Sequence, residues 1–292
     1  MLIRGAIYGL LAASIWGGMY VVSDIVLKII PPFTLLSMRL ILATLVLGIG
    51  IIPTLRQQSL TLPDILPLLG VGFIGFGISV GAQFVGTDKS TAINGSLITS
   101  ASPAFILVFA VIILREKLTL QRVLAIGLAT LGVLVIINPA EAEFGSETFF
   151  GDVALFVAAV TWGLYSVLVR RVSQNHNTLV VTWFAFLGGM CLVLPASLLE
   201  LPSRPIGNID GGVVLGVLYL GIISTAVAMW LWNRAFALVE ASVASLFFFA
   251  QPLVGAILSV IFLGQSMTTA LWVGSALILA GVLIALVERT SR

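Results

Sequence analysis

Uncharged apolar runs follow one another along this chain, with only short charged stretches between them. No Asp, Glu, Lys or Arg interrupts residues 5–23, 65–87, 90–114, 123–140, 153–169, 172–199 or 211–233. A run over 40–55 extends backwards past Arg39 to Phe33, just after Pro31-Pro32. The last run, 241–287, has 47 residues, enough for two crossings and a turn, and Gly264-Gln265-Ser266 supplies glycine and small polar residues for that turn. A membrane helix needs about 20 apolar residues. The pattern therefore predicts an all-α polytopic membrane protein of ten transmembrane helices. The runs are too long and too continuously apolar for the alternating strands of a membrane barrel.

Composition excludes the soluble alternative. Of 292 residues, 60% are hydrophobic and 9% charged, and the mean hydropathy is +1.19. Soluble domains carry about 25% charge, and a single soluble core stops growing at roughly 250–300 residues. The net charge of +2 gives nucleic acid little to bind. After Arg4 come 19 uncharged residues, longer than the ~7–15-residue core of a secretory signal, so this segment reads as a first retained span. Cys191, the single cysteine, sits in an apolar run and is expected as a small buried hydrophobe. His176, the single histidine, lies between Asn175 and Asn177 and is expected in a solvated loop. No metal or cofactor set is indicated.

Basic residues give the runs a direction. Arg4, Arg56, Arg115, Lys117, Arg122, Arg170, Arg171, Arg234, Arg289 and Arg292 fall on one side of the predicted topology. Lys28, Lys89 and Arg204 fall on the other. By the positive-inside rule both termini are expected in the cytoplasm of a bacterial cell, with the chain in its inner membrane. The acidic stretch with Glu141, Glu143, Glu147 and Asp152 then lies outside.

The chain also repeats itself weakly. An offset of 146 superposes Gly5 on Gly151, Ala12-Ala13 on Ala158-Ala159, Trp16-Gly17 on Trp162-Gly163, Leu69-Gly70-Val71 on Leu215-Gly216-Val217, and Gly75 on Gly221. An offset of 149 then aligns Ser96-Leu97 with Ser245-Leu246, Pro103 with Pro252, Glu116 with Gln265, Thr119 with Thr268, and Gly132-Val133-Leu134 with Gly281-Val282-Leu283. The expected organisation is a first five-helix repeat over 1–140, an acidic external linker over 141–150 and a second five-helix repeat over 151–292. Five is odd, so the second half must enter the membrane from the opposite side. Inverted repeats are a recurring plan of secondary transporters, with the site near the midplane between the halves.

These residues resemble the ten-helix EamA-type members of the drug/metabolite transporter superfamily, from Gly5 to about Leu286. The resemblance is carried by Ala12-Ala13-Ser14-Ile15-Trp16-Gly17, by Arg39, by Ser102-Pro103 with Leu114-Arg115-Glu116-Lys117-Leu118-Thr119, Gly127 and Gly132, and by Gln251-Pro252 with Leu263-Gly264-Gln265 and Gly281. Within that superfamily the chain looks like the bacterial YddG-like amino-acid exporters. It departs at Gln265, where a glutamate is usual, and at Asp88-Lys89, where Ala-Leu is usual. The resemblance implies alternating-access export of small metabolites, with neutral or aromatic amino acids as the substrate class.

Polar residues inside a span are costly and usually face the protein interior or a wet cavity. In the fourth span, Ser96, Thr99, Ser100 and Pro103 are spaced by three and four, hence on one helical face, with Asn94 and Ser102 extending it. In the ninth, Ser242, Ser245 and Pro252 share a face beside Gln251. These faces are read as opposing walls of a central cavity; the alternative is serines bonding their own backbone. Trp16 with Tyr20, and Trp162 with Tyr165 and Ser166, lie deep in the first and sixth spans, either lining an aromatic cavity or packing helices. Ser79 and Gln83 are further candidates. Arg39 is the basic residue well within a span: it either snorkels to the outer surface, or meets a substrate carboxylate or gates with an acid such as Asp24.

No carboxylate lies deep in any span, which points to a facilitator or weakly coupled exporter. Phosphorylated or nucleotide-sugar substrates would need clustered cations, and one intramembrane arginine argues against them. The motifs of an intramembrane enzyme are missing, so no catalytic residue is expected. A lipid scramblase or non-transporting membrane protein is the alternative of a different class. The expected partners are a small-molecule substrate and the bilayer, and one chain with both halves could work as a monomer.

Overall fold

The protein's structure, a computed structural model, describes residues 1–57, 60–90, 92–137, 140, 142, 144–263 and 268–290. The Gly264-Gln265-Ser266 turn, Glu141, Glu143 and the side chains of Tyr20, Asp24 and Ser96 lie outside what is described. Among the described residues every regular element is helical. They are α1 (Leu2–Leu27), α2 (Pro32–Gln57), α3 (Leu62–Lys89), α4 (Ala92–Thr99), α5 (Ser102–Leu114), α6 (Leu120–Ile137), α7 (Phe149–Val172), α8 (Thr178–Glu200), α9 (Gly211–Leu238), α10 (Ala241–Ala244), α11 (Ala250–Leu263) and α12 (Thr269–Thr290). A 3-10 segment, Ser245–Phe249, joins α10 to α11.

Eight described stretches are long and apolar enough to cross a membrane, and two shorter apolar helices, Ala241–Gly255 and Thr269–Ala285, follow. Their outward faces carry exposed Ile3, Ile49, Ile112, Leu198 and Leu215. Such a surface suits hydrocarbon rather than water, so the chain is a multi-span membrane protein.

Local chemistry sets where the helices start. Thr61 and Asp64 form a capping box at α3, with the Thr61 hydroxyl donating to the Asp64 carboxylate at 2.6 Å. Asn177 accepts from the Leu179 amide at 2.9 Å and starts α8, and Asp210 accepts from the Val213 amide at 2.8 Å and starts α9. The Asn177 cap corrects the run read as starting at residue 172: Val172 ends α7, and a turn precedes Thr178. The expected continuous fourth span is also broken, at Ser100-Ala101, with α5 restarting on Ser102-Pro103. Proline lacks the amide that would continue the ladder and disfavours helix before it, but suits a helix's first turn.

Close backbone approach holds the helices together. A Cβ on Gly72 would lie 1.8 Å from the Ala185 carbonyl oxygen, and one on Gly188 would lie 1.9 Å from that of Leu69, so α3 and α8 touch backbone to backbone. Gly132 of α6 and Gly274 of α12 stand the same way, each with the other's carbonyl oxygen at 2.6 and 2.5 Å from the added Cβ. Small residues permit this contact in lipid, where no hydrophobic force drives helices together.

Positions separated by 146 make related contacts. Gly17 of α1 packs on Gln251, Val254 and Gly255 of α11, while Gly163 of α7 packs on Phe105 and Ile106 of α5. Helices α3 and α9 each contain a π-helical segment, Phe73–Val80 and Tyr219–Val227, and the two start 146 residues apart. Cys191 is corrected: it is exposed on α8, where a bilayer supplies the apolar surroundings, and its thiol faces the Leu187 carbonyl at 3.6 Å. Trp272 is exposed near the start of α12.

Candidate functional site: a central cavity

A cavity of about 340 Å³ lies between the helices. Its walls are Trp16, Met19, Ser23 and Leu27 of α1, Arg39 of α2, and Ser79, Val80, Gln83, Phe84 and Thr87 of α3. Thr99, Ser102, Ala158, Ala159, Trp162, Met229, Phe248 and Gln251 complete it. The lining is mostly apolar, with a few hydroxyls, two side-chain amides and one guanidinium, the usual make-up of a small-molecule pocket.

Aromatic rings build one wall. Trp16 and Trp162 meet edge to face at 5.8 Å between centroids, and Trp232 closes on both, at 5.2 Å from Trp16 and 6.3 Å from Trp162. The Trp16 indole donates to the Ser224 carbonyl at 3.0 Å, which fixes its tilt. Offset and edge contacts of this kind each add about 0.5–1.5 kcal/mol beyond area burial.

Arg39 does not snorkel. It is 4% exposed, and its Nε donates to Thr225 Oγ1 at 3.0 Å, while an Nη faces the Met19 sulfur at 3.4 Å. Among the described residues no carboxylate pairs with it. A guanidinium held beside a cavity without an acid can receive an anionic group through its fork of N–H donors.

Of the residues singled out from the sequence, Trp16, Arg39, Ser79, Gln83, Thr99, Ser102, Trp162 and Gln251 meet around this space. Thr99 and Ser102 line the cavity together with Phe248 and Gln251, their counterparts at the 149 offset. Ser79 donates to the Ala158 carbonyl at 2.8 Å, and Thr99 to that of Gly95 at 2.7 Å.

The others stand elsewhere. Tyr165 is buried behind Trp162 and donates to Asn233 at 3.0 Å, and Asn233 donates to Thr182 at 3.0 Å. Ser166 is fully buried away from the cavity lining. Asn94 donates to Asp152 at 3.0 Å, beside Ser90 at 2.5 Å. Ser100 donates to the Leu97 carbonyl at 2.6 Å. Ser242 and Ser245 sit at the end of the bundle, with Ser245 donating to the Ser242 carbonyl at 2.9 Å. The broken fourth span and the 3-10 segment after Ser245 scatter side chains that an ideal helix would align. Met229 and Phe248 were missed as lining residues; the repeat offsets from Gln83 and Thr99 lead to them.

The two ends of the cavity differ. Leu27, Phe84 and Thr87 are shared with a second space of about 430 Å³, which reaches Lys28, Asp88 and Arg204 at one end of the bundle. Arg204 donates to Asp88 there at 2.9 Å, a bond that raises the guanidinium's pKa above its ordinary value. A charged cluster stands at the opposite end of the bundle, where Val239 packs on Gly5 near the start of α1. Arg115 ends α5 in the left-handed region (φ 54°, ψ 34°), and Glu116 follows it. The Glu116 carboxylate accepts from the Ala241 and Ser242 amides at 2.7 and 3.1 Å and from the Ser242 hydroxyl at 2.6 Å. Arg122 lies 3.8 Å from it and Arg170 3.3 Å. Arg122 also pairs with Glu240. Arg170 also donates to the Phe236 carbonyl at 2.7 Å and to that of Val239.

A multi-span helical protein with an amphiphilic cavity between its helices, continuous with a space at one end of the bundle, has the build of a solute transporter. The sequence profile of the EamA-like transporter family matches residues 3–138 and again 149–287, and the chain belongs to that family. It is 28% identical over 281 residues to a protein of Archaeoglobus fulgidus named an uncharacterized transporter, covering 96% of this chain and 97% of that one. It is 27% identical to YicL of Salmonella typhimurium, named an uncharacterized inner membrane transporter, over 96% of this chain and 94% of that one. A solved crystal structure 22% identical in sequence superposes with a TM-score of 0.83, over 96% of this chain and 97% of the other, and shares the fold. The family and these relatives are transporters rather than enzymes. Among the described residues no cluster of three or more potential metal ligands occurs.

Proposed function

We propose that this protein is an alternating-access transporter that exports small carboxylate-bearing metabolites with an apolar body, with neutral or aromatic amino acids as the substrate class, as in YddG-like exporters. The observation that carries the reading is Arg39, buried beside the cavity and, among the described residues, without a carboxylate partner, near a wall of Trp16 and Trp162. A carboxylate would bind the guanidinium and an apolar side chain would lie against the indoles. Ser79, Gln83, Thr99 and Gln251 supply hydrogen bonds for the rest of the molecule. The cavity volume of about 340 Å³ suits one such solute.

Ten crossings in two inverted five-helix halves are part of this reading. Eight long helices with two shorter ones support the count. The double family match, the paired π segments and the Gly17 and Gly163 contacts support the repeat. The distribution of lysine and arginine supports cytoplasmic termini in a bacterial inner membrane. One chain holds both halves, so a monomer has a complete site. None of the described lining residues is a carboxylate, which supports transport without an intramembrane proton relay.

Counterflow in proteoliposomes tests the proposal. Liposomes loaded with unlabelled phenylalanine or leucine should accumulate the same labelled amino acid. If no neutral amino acid exchanges while fluorescent lipids cross the bilayer faster than in empty liposomes, the protein is a scramblase and the reading fails.

A further inference from the structure

At the end of the bundle away from Lys28 and Arg204, charges join the two halves of the chain. Glu116 and Arg122 come from the ends of α5 and α6. Arg170 ends α7, and Glu240 precedes α10. The Glu116 and Arg122 side chains are 7% and 6% exposed, so the contacts among them are shielded from water. Glu116 also satisfies the first two amides of α10. The cluster is therefore a clasp closed by several mutually dependent bonds.

In sequence, the repeat positions corresponding to these four residues do not carry the same charges. The offset of 149 takes Glu116 to Gln265 and Arg122 to Leu271, and returns Glu240 to Thr91. The offset of 146 returns Arg170 to Asp24. One acid and no base replace two acids and two bases. Among the described residues, Arg204 pairs with Asp88 at the Lys28–Arg204 end, with side chains 52% and 33% exposed. An ion pair so open to solvent contributes little.

Resting on the two-repeat transport reading above, we propose that Glu116, Arg122, Arg170 and Glu240 form a charge-built gate, and that this cluster, which the repeat does not reproduce in sequence, makes the protein rest closed at this end and open at the Lys28–Arg204 end. In a symmetric carrier both conformers would be similar in free energy. Here the clasp stabilises one conformer, and the repeat does not reproduce its four charged residues for the other. Removing one partner leaves a shielded charge uncompensated, and opening the gate lets water compensate it. Single neutralisations therefore favour the opposite conformer.

The test reads conformation without any substrate. In a Cys191→Ser background, Thr99→Cys places one thiol in the cavity wall. A membrane-impermeant maleimide is applied from each side of reconstituted vesicles of known orientation. The parent should label from the Lys28–Arg204 side. Glu116→Gln and Arg122→Gln should each slow that labelling about tenfold and raise labelling from the other side. Glu240→Gln, whose carboxylate is 35% exposed, is the milder third variant and should shift labelling the same way by less. Parental labelling in all folded variants would overturn the gate. Loss of the folded protein in all three would overturn it equally, by making the cluster a static clasp. An absence of amino-acid counterflow with the labelling shift intact would count against the substrate class and leave the gate standing.

Discussion

Arg39 and Thr225 are joined by a 3.0 Å hydrogen bond from the guanidinium Nε to the threonine hydroxyl. The same hydroxyl donates to the Leu220 carbonyl at 2.7 Å, five residues earlier in the π segment Tyr219–Val227. The widened turn thus orients Thr225, and Thr225 orients Arg39. Single π turns inside longer helices often mark functional positions. Here the distortion has a definable use: it spends the threonine's proton on the backbone and leaves its lone pairs for the arginine.

Arg39→Gln is expected to weaken binding of a carboxylate substrate by roughly 10- to 100-fold, since hydrogen bonds to charged groups are worth about 1.5–3 kcal/mol. Arg39→Lys should restore little, because an ammonium cannot bond Thr225 and present a planar fork together. The measurement is KM in proteoliposomes for an amino acid and for its methyl ester. The ester's KM should barely change with the substitution. An unchanged amino-acid KM in the folded variant refutes the role.

Trp162 contacts Trp16, Trp232 and Tyr165 while facing the cavity. Trp162→Ala should abolish transport, but a large-to-small change in such a cluster also costs about 3–5 kcal/mol of stability. Trp162→Phe is the cleaner probe. It keeps an apolar ring and should fold, yet raise KM severalfold for aromatic substrates. Parental kinetics with both phenylalanine and leucine would assign Trp162 to helix packing alone.

Much of this site was legible because lipid makes polarity conspicuous. Ser79, Gln83, Thr99 and Arg39 stand out in apolar runs, and the repeat singles out Trp16 and Trp162. Thr225 was within reach: it is the counterpart of Ser79 at the 146 offset, but one threonine in an apolar run does not announce a partner. Trp232 was not within reach, since its counterpart is Gly86. Ser100, Ser242 and Ser245 stand apart from the cavity lining for a geometric reason. Helical spacing assumes an uninterrupted helix, whereas Ser100 sits in a break and Ser245 opens a 3-10 segment. The grouping of Glu116, Arg122, Arg170 and Glu240 depends on tertiary pairing between halves, which no local pattern encodes.

Tyr165 separates fold from site. Its hydroxyl begins a buried chain through Asn233 and Thr182 to the Thr178 carbonyl. Tyr165→Phe leaves the Asn233 oxygen without that donor and should cost about 1–3 kcal/mol. Thermal unfolding in detergent should show the loss, with KM at its parental value. A changed KM with unchanged unfolding would instead bring Tyr165 into the cavity.

Glycine substitutions test the helix contacts without touching the cavity. A methyl group on Gly72 meets Ala185 backbone atoms at 1.8–2.4 Å, and backbone cannot step aside as a side-chain tip can. Gly72→Ala must therefore push α3 from α8, at a cost of at least the ~1–3 kcal/mol typical of overpacking. Gly127 of α6 has nothing within 4 Å of an added Cβ. Gly127→Ala should be neutral or stabilising by up to ~1 kcal/mol, because alanine loses less backbone entropy in a helix. Parallel unfolding curves for the two variants decide the matter. Equal midpoints would mean that the α3–α8 backbone contact is looser than the Gly72–Ala185 approach requires.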